Sequence, residues 1–204
     1  MSILYIHGMG GGGDSRIPST LREEGLDVIV RTYDFDPDVA SAQIASWVNE
    51  LNPELVIGES LGALHALRIQ GVPKVLVSPA LNAPIYFELL AWLTLIPGVT
   101  ALFNRIYRPR EGDRQPLNFT FGTLRKYMPH RREALKVSTS SSDRIFALLG
   151  TRDHYRKSGI VSFRTWKKYF GSAFLPYDGT HFTEEWYVRS DLKRIVLDML
   201  NINR

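Results

Sequence analysis

Three residue types in one order carry the chemistry of this chain: a serine, then an aspartate, then a histidine. Ser60 lies in Gly58-Glu59-Ser60-Leu61-Gly62, between the apolar runs Leu55–Ile57 and Leu61–Ile69. Gly-x-Ser-x-Gly between a strand and a helix is the pattern of a nucleophile elbow, a turn too tight for side chains at its outer positions. Asp153 follows the apolar run Arg144–Leu149, and His181 follows Ser172–Tyr177. A serine nucleophile needs a base to take its proton, a carboxylate to orient the base, and backbone donors for the oxyanion. The order Ser, acid, His at successive strand ends satisfies the first two needs.

Each position has a rival. Asp178 is close in sequence to His181, but on the same loop it serves better to support the turn into Gly179. Asp153 also has Arg152 and Arg156 beside it for a surface ion pair. His154 adjoins Asp153, and chain neighbours rarely face each other across a site. His65 falls in an apolar helix and His130 in an aromatic, basic stretch, where structural or solvent roles suffice.

The run Gly8-Met9-Gly10-Gly11-Gly12-Gly13 reads in two ways. It satisfies Gly-x-Gly-x-x-Gly after a strand and before a helix, with Asp34 placed like a ribose-binding acid. That nucleotide-dependent oxidoreductase reading accounts only for the first part of the chain, and no Tyr-x-x-x-Lys pair accompanies it. Alternatively the glycines form an oxyanion loop after His7, bringing the backbone at Gly8 and Gly10 against substrate and pairing the amides of Met9 and Leu61 as donors. The second reading joins the loop to Ser60, Asp153 and His181, and is preferred. The spacing offers no phosphate loop with Gly-Lys-Ser/Thr and no His-x-x-x-His metal pattern.

The elements that must position these groups alternate. Strands are expected at Ile3–His7, Asp27–Tyr33, Leu55–Ile57, Val72–Ser78, Arg144–Gly150 and Ser172–Tyr177. Helices are expected at Ser15–Glu24, after Asp36-Pro37-Asp38, at Leu61–Gln70, at Gly159–Phe170 and from Glu184. Such alternation implies an α/β fold: a mostly parallel sheet of about six strands with helices on both faces. The rhythm breaks at residues 84–142, read as a cap or lid insertion in a single 1–204 domain, with Ser138–Ser142 as its return linker. Tyr86, Phe87 and Trp92 are candidates for its substrate-facing side, against the plainer reading of a lid packed on the sheet.

Composition sets outer limits. The 204 residues suit one domain; 44% hydrophobic and 23% charged residues are ordinary for a soluble globular chain. The absence of cysteine removes disulfides and thiol chemistry. The formal charge of +4 gives little support to nucleic-acid binding, and nine Lys/Arg against four Asp/Glu fall between Pro84 and Lys136. The apolar stretch Ile85–Ile96 is too short to span a bilayer. The first residues lack signal-peptide character, so a cytoplasmic location is expected.

The chain resembles the small bacterial α/β-hydrolase esterases of the YqiA/YcfP type. The resemblance lies in Leu4-Tyr5-Ile6-His7-Gly8, the Ser60 pentapeptide, Ser78-Pro79-Ala80, the segment from Gly150 to Tyr155, and Gly179-Thr180-His181-Phe182-Thr183. It implies a compact hydrolase lacking the first two strands of larger relatives, with Ser60, Asp153 and His181 as the catalytic triad. The long glycine run, Glu59, Ala63 and the aromatic insertion depart from the pattern. The expectation is a cofactor-independent, metal-free serine hydrolase of a small-molecule ester or thioester. A non-catalytic binding protein on the same scaffold is the alternative.

Overall fold

A computed structural model describes residues 2–107 and 112–201; residues 108–111 of the expected 84–142 insertion lie outside them. Six parallel strands form one sheet: β1 (Ser2–Ile6), β2 (Asp27–Val30), β3 (Leu55–Glu59), β4 (Lys74–Val77), β5 (Ile145–Gly150) and β6 (Phe174–Tyr177). Their spatial order is β2-β1-β3-β4-β5-β6. The chain goes from β1 outward to β2, then returns to place β3 on the other side of β1. The strand order therefore reverses between β1 and β3, where open α/β sheets present a crevice at their carboxyl ends.

Alternation along the strands explains why both faces are covered. Leu4, Ile6, Val56, Leu76, Ala147 and Leu149 enter one buried cluster, and Ile3, Tyr5, Ile57, Val75, Val77 and Leu148 enter the other. Helices α2 (Pro37–Leu51), α3 (Gly62–Ala66) and α7 (Phe163–Phe170) supply Ile44, Leu64 and Trp166 to the first. Helix α1 (Arg16–Glu23) and the C-terminal helical segment supply Ile17, Leu21, Val188 and Val196 to the second.

Local chemistry sets the helix ends. Asp36 caps α2 by accepting from the Asp38 amide at 3.0 Å, with Pro37 at the first helical position. Ser162 caps α7 through the Thr165 amide at 3.1 Å, so α7 starts at Phe163 rather than at Gly159. Helix α3 ends at Ala66, shorter than the apolar run to Gln70 suggests; that run continues as turns leading to Gly71, at φ +78°. The closing helix is interrupted: α8 (Glu185–Tyr187) leads through a π turn, Val188–Leu192, into α9 (Lys193–Met199).

Between β4 and β5 the chain forms α4 (Ala83–Leu93), α5 (Val99–Ile106) and α6 (Phe121–Ser140). The expected linker Ser138–Ser142 is corrected here, because α6 runs through Ser140. The hydroxyls of Ser138 and Thr139 both donate to the Leu135 carbonyl, and Ser140 donates to Val137, so the polar run extends the helix by bonding back to its own carbonyls. Phe87 of α4, Tyr127 of α6 and Phe119 gather around Phe35, with Tyr127 Oη donating to the Phe35 carbonyl at 2.6 Å. This aromatic knot seats α4 and α6 on the loop after β2. Among the described residues no helix is long and apolar enough to cross a membrane.

Candidate active site

Ser60 occupies the turn from β3 into α3 at φ +50°, a left-handed conformation that costs an L-residue about 1–2 kcal/mol. Neighbouring backbone holds it there. The Ser60 amide donates to Val77 O at 2.9 Å, and its carbonyl accepts from Ala80 N at 3.0 Å. The elbow glycines are steric requirements. A Cβ at Gly62 would lie 2.3 Å from His7 O, and one at Gly58 would lie 2.7 Å from Ala66 Cβ.

Asp153 caps a single 3-10 turn after β5, its Oδ1 accepting from the Tyr155 amide at 2.8 Å. Its Oδ2 lies 2.7 Å from His181 Nδ1, and His181 Nε2 lies 2.9 Å from Ser60 Oγ. Because a carboxylate oxygen accepts, Nδ1 donates, which leaves Nε2 as the acceptor facing the serine hydroxyl. The Asp153 side chain is fully buried and that of His181 is 6% exposed, so water competes little for this pair. The Tyr155 ring meets His181 edge-on at 4.7 Å and limits its rotation.

The acid and histidine loops are fastened together. Thr151 N donates to Tyr177 O and Arg152 N to Gly179 O, while Tyr177 Oη donates to Thr180 O at 2.9 Å. Burial raises the Tyr177 hydroxyl to a pKa of about 12, so it stays a donor. Neither rival joins the series: Asp178 is exposed and pairs with Arg152 at 3.1 Å. The exposed His154 packs its ring on Tyr155 at 4.1 Å and edge-on to His181 at 5.7 Å, with no hydrogen bond to Ser60 or Asp153 among the described residues.

The loop after β1 lies against the elbow. Among the described residues, neither the Met9 amide nor the Leu61 amide donates a hydrogen bond, and both residues line the cavity that contains Ser60. His7 supports this loop from below. Its Nδ1 donates to Gly8 O at 2.8 Å, its ring stacks on Tyr33 at 4.3 Å, and Tyr33 Oη donates to His7 O. Burial lowers the His7 pKa to about 4, so the ring is neutral.

The amides of Gly10 to Gly13 are engaged within the protein, that of Gly11 by Gly8 O at 3.0 Å. Gly10 N donates to Gln115 Oε1 at 3.1 Å, Gly12 N to Ser15 Oγ, and Gly13 N to Asp113 O. A Cβ at Gly12 would lie 1.7 Å from Asp113 O. These glycines admit the segment Asp113–Gln115 rather than a phosphate, which takes the donors away from the dinucleotide reading.

The cavity encloses about 720 Å³ and has two sides. On the sheet face of α3 its lining is apolar, with Ala80, Ala83, Phe87, Leu117 and Ile160; toward α1 it carries Asp14, Arg16, Ile17, Glu59 and Phe182, and Tyr107 and Arg114 of the 84–142 segment also border it. Gly8 and Gly10 border it near Ser60. Of the three aromatic candidates on α4, only Phe87 lines it. Tyr86 and Trp92 are corrected to outward positions: residues 83 and 87 share the inner face of the helix, leaving 85, 86, 89 and 92 to solvent. The Tyr86 hydroxyl instead reaches Ser158 O, and Trp92 packs on Phe121 with Arg125 over its ring.

No protein-family model and no curated protein sequence matches the chain. Solved structures do. A monoacylglycerol lipase of Paleococcus ferrophilus superposes with TM-score 0.62 at 17% identity, covering 98% of this chain and 93% of that one. A metagenome-derived lipolytic enzyme gives 0.65 at 13% identity, with 99% and 94% covered. A fluorophosphonate-binding serine hydrolase of Staphylococcus aureus gives 0.55 at 14% identity, with 98% and 83% covered. The fold is that of the α/β-hydrolases. Ser60, Asp153 and His181 follow the carboxyl ends of β3, β5 and β6 in this chain.

Sequence reasoning missed Tyr155, Gln115 and Arg16. Tyr155 had a signal, lying two residues after Asp153. Gln115 touches the glycine loop across 105 residues, a contact no local pattern announces.

Proposed function

We propose that this chain is a cofactor-independent serine hydrolase of carboxylic esters, with Ser60 as nucleophile, His181 as base and Asp153 as its orienting acid. The observation that carries the reading is the unbroken series Asp153 Oδ2–His181–Ser60 Oγ, ending on a serine held at positive φ. The hydrolase fold of the solved neighbours supports it.

His181 Nε2 takes the Ser60 proton as Oγ attacks the acyl carbon. The free amides of Met9 and Leu61 receive the oxyanion; loss of one such donor costs about 3–4 kcal/mol of barrier. The tetrahedral intermediate collapses, and the proton on His181 passes to the departing alcohol oxygen. Water then attacks the acyl-enzyme, giving its proton to His181, and Ser60 is regenerated as the acid leaves. Asp153 stabilises the imidazolium at each stage without taking the proton.

The test is hydrolysis of p-nitrophenyl acetate, butyrate and octanoate by the purified chain. Turnover that drops to background in Ser60→Ala and His181→Ala supports the reading. Turnover unchanged in Ser60→Ala rejects it.

A further inference from the structure

Glu59 stands immediately before the candidate nucleophile, and the mechanism above gives it no task. It ends β3 with its side chain on the α1 face of the sheet, where the buried Tyr5 hydroxyl donates to Glu59 Oε2 at 2.7 Å. Among the described residues this carboxylate has no cationic partner. It lines the same cavity as Ser60. Tyr5 thus fixes one oxygen from below and leaves the other free to accept from above.

Asp14, Arg16 and Arg114 line the same cavity. Arg114 is neutralised by Asp14, with Nε 2.9 Å from Oδ1 and Nη2 2.9 Å from Oδ2. Arg16 at the start of α1 donates to Phe182 O at 3.0 Å and, among the described residues, has no acid partner. The α1 side therefore presents one unpaired anion, Glu59, and one unpaired cation, Arg16. The opposite side offers Ala80, Ala83, Phe87 and Ile160 and no charge among those four.

Resting on the hydrolase reading, we infer that the α1 side is the subsite for the alcohol half of the ester, and that it selects an alcohol carrying hydroxyl donors, a polyol. A hydroxyl of the leaving alcohol donates to Glu59, another accepts from Arg16, and the acyl chain lies on the apolar side. Selection follows from desolvation. An alkyl alcohol pressed against Glu59 strips water from the carboxylate and returns no hydrogen bond, and sites built around such a bond reject analogues that lack it. The bond to a carboxylate is about twice as strong as one to a neutral amide.

The experiment compares 1-monobutyrin with propyl butyrate, which share the acyl group and a three-carbon alcohol and differ in two hydroxyls. Ester hydrolysis by the full chain is followed by titration of the released acid. The wild-type protein should favour monobutyrin by about tenfold or more in kcat/KM. Glu59→Gln keeps an acceptor for Tyr5 and should cut that preference several-fold, and Glu59→Leu should bring it near parity. Arg16→Met should reduce it without reversing it. Equal kcat/KM for both esters in the wild type, or a preference that survives in both Glu59 variants, overturns the inference while hydrolysis itself stands. If Glu59→Leu does not fold, the Gln variant decides alone. Should neither ester turn over and a fluorophosphonate fail to label Ser60, the hydrolase reading falls and the subsite with it.

Discussion

The carbonyl oxygen of His7 lies where a Cβ on Gly62 would come within 2.3 Å of it. The elbow and the loop after β1 are thus packed backbone against backbone. Ser60 and the Met9 amide are held in fixed relation because no side chain separates the two segments. Gly62→Ala should lower stability by about 1–3 kcal/mol, as overpacking does, and reduce kcat by more than the folded fraction accounts for. Urea unfolding and single-turnover rates, measured on one preparation, check both.

Asp153 fixes the His181 tautomer through Nδ1. Asp153→Asn preserves shape but offers an amide donor to a nitrogen that must itself donate. It should lower kcat by about 10⁴-fold with little change in thermal midpoint, the scale seen for the analogous change in serine proteases. A loss under tenfold would assign the orienting role to another group.

The buried histidines make stability depend on acid. Burial lowers His7 to about 4; burial, reinforced by Arg68, lowers His130 to about 3, and His65 also falls well below its usual value. Arg68 Nη1 donates to His130 Nδ1 at 2.8 Å, which requires the neutral ring. The folded state therefore binds fewer protons than the unfolded chain below the ordinary imidazole pKa of about 6.5. Stability is full above that pH and declines as pH falls toward 4, by on the order of 3 kcal/mol for His7 alone. The urea midpoint should drop steeply between pH 6.5 and 4.5, and His7→Gln should flatten that slope.

On β4, Lys74 is a buried cation with its side chain 1% exposed, bonded to Asp143 at 2.7 Å. Desolvation lowers the Lys74 pKa, and Asp143 opposes that shift. Asp143→Ala strands the ammonium and should cost about 3–5 kcal/mol, whereas replacing both residues, Lys74→Met with Asp143→Ala, should recover most of it. A double-mutant cycle by urea denaturation reads the coupling.

Local pattern made much of this architecture legible. Short apolar runs at Ile3–Ile6 and Leu55–Ile57, alternating along the chain with helical stretches, marked strands of a sheet covered on both faces, and the flanks of Ser60 marked a tight turn. Chain order placed Asp153 and His181 at strand ends, where the structure brings Asp153 within hydrogen-bonding reach of His181 and His181 within reach of Ser60. What stayed hidden was set by distant partners or by direction. Gln115 and Asp113 cross to the glycine loop from distant sequence, so the engagement of the Gly10, Gly12 and Gly13 amides, which weighs against the nucleotide alternative, is not visible in the glycine run itself. Tyr86 and Trp92 share a helix with Phe87, but hydropathy alone does not say which face turns inward. Ser138–Ser140 look like linker residues because their hydroxyls bond to carbonyls of their own helix. The Tyr5–Glu59 bond spans 54 residues and leaves no mark in either segment.

The central claim is that Ser60 Oγ is a nucleophile activated by His181. The most direct measurement is reaction of the intact chain with a fluorophosphonate, followed by peptide mass mapping. The account predicts one equivalent of label on the peptide containing Ser60, lost in Ser60→Ala and strongly slowed in His181→Ala. Labelling elsewhere, or labelling of Ser60 at the same rate without His181, would contradict it.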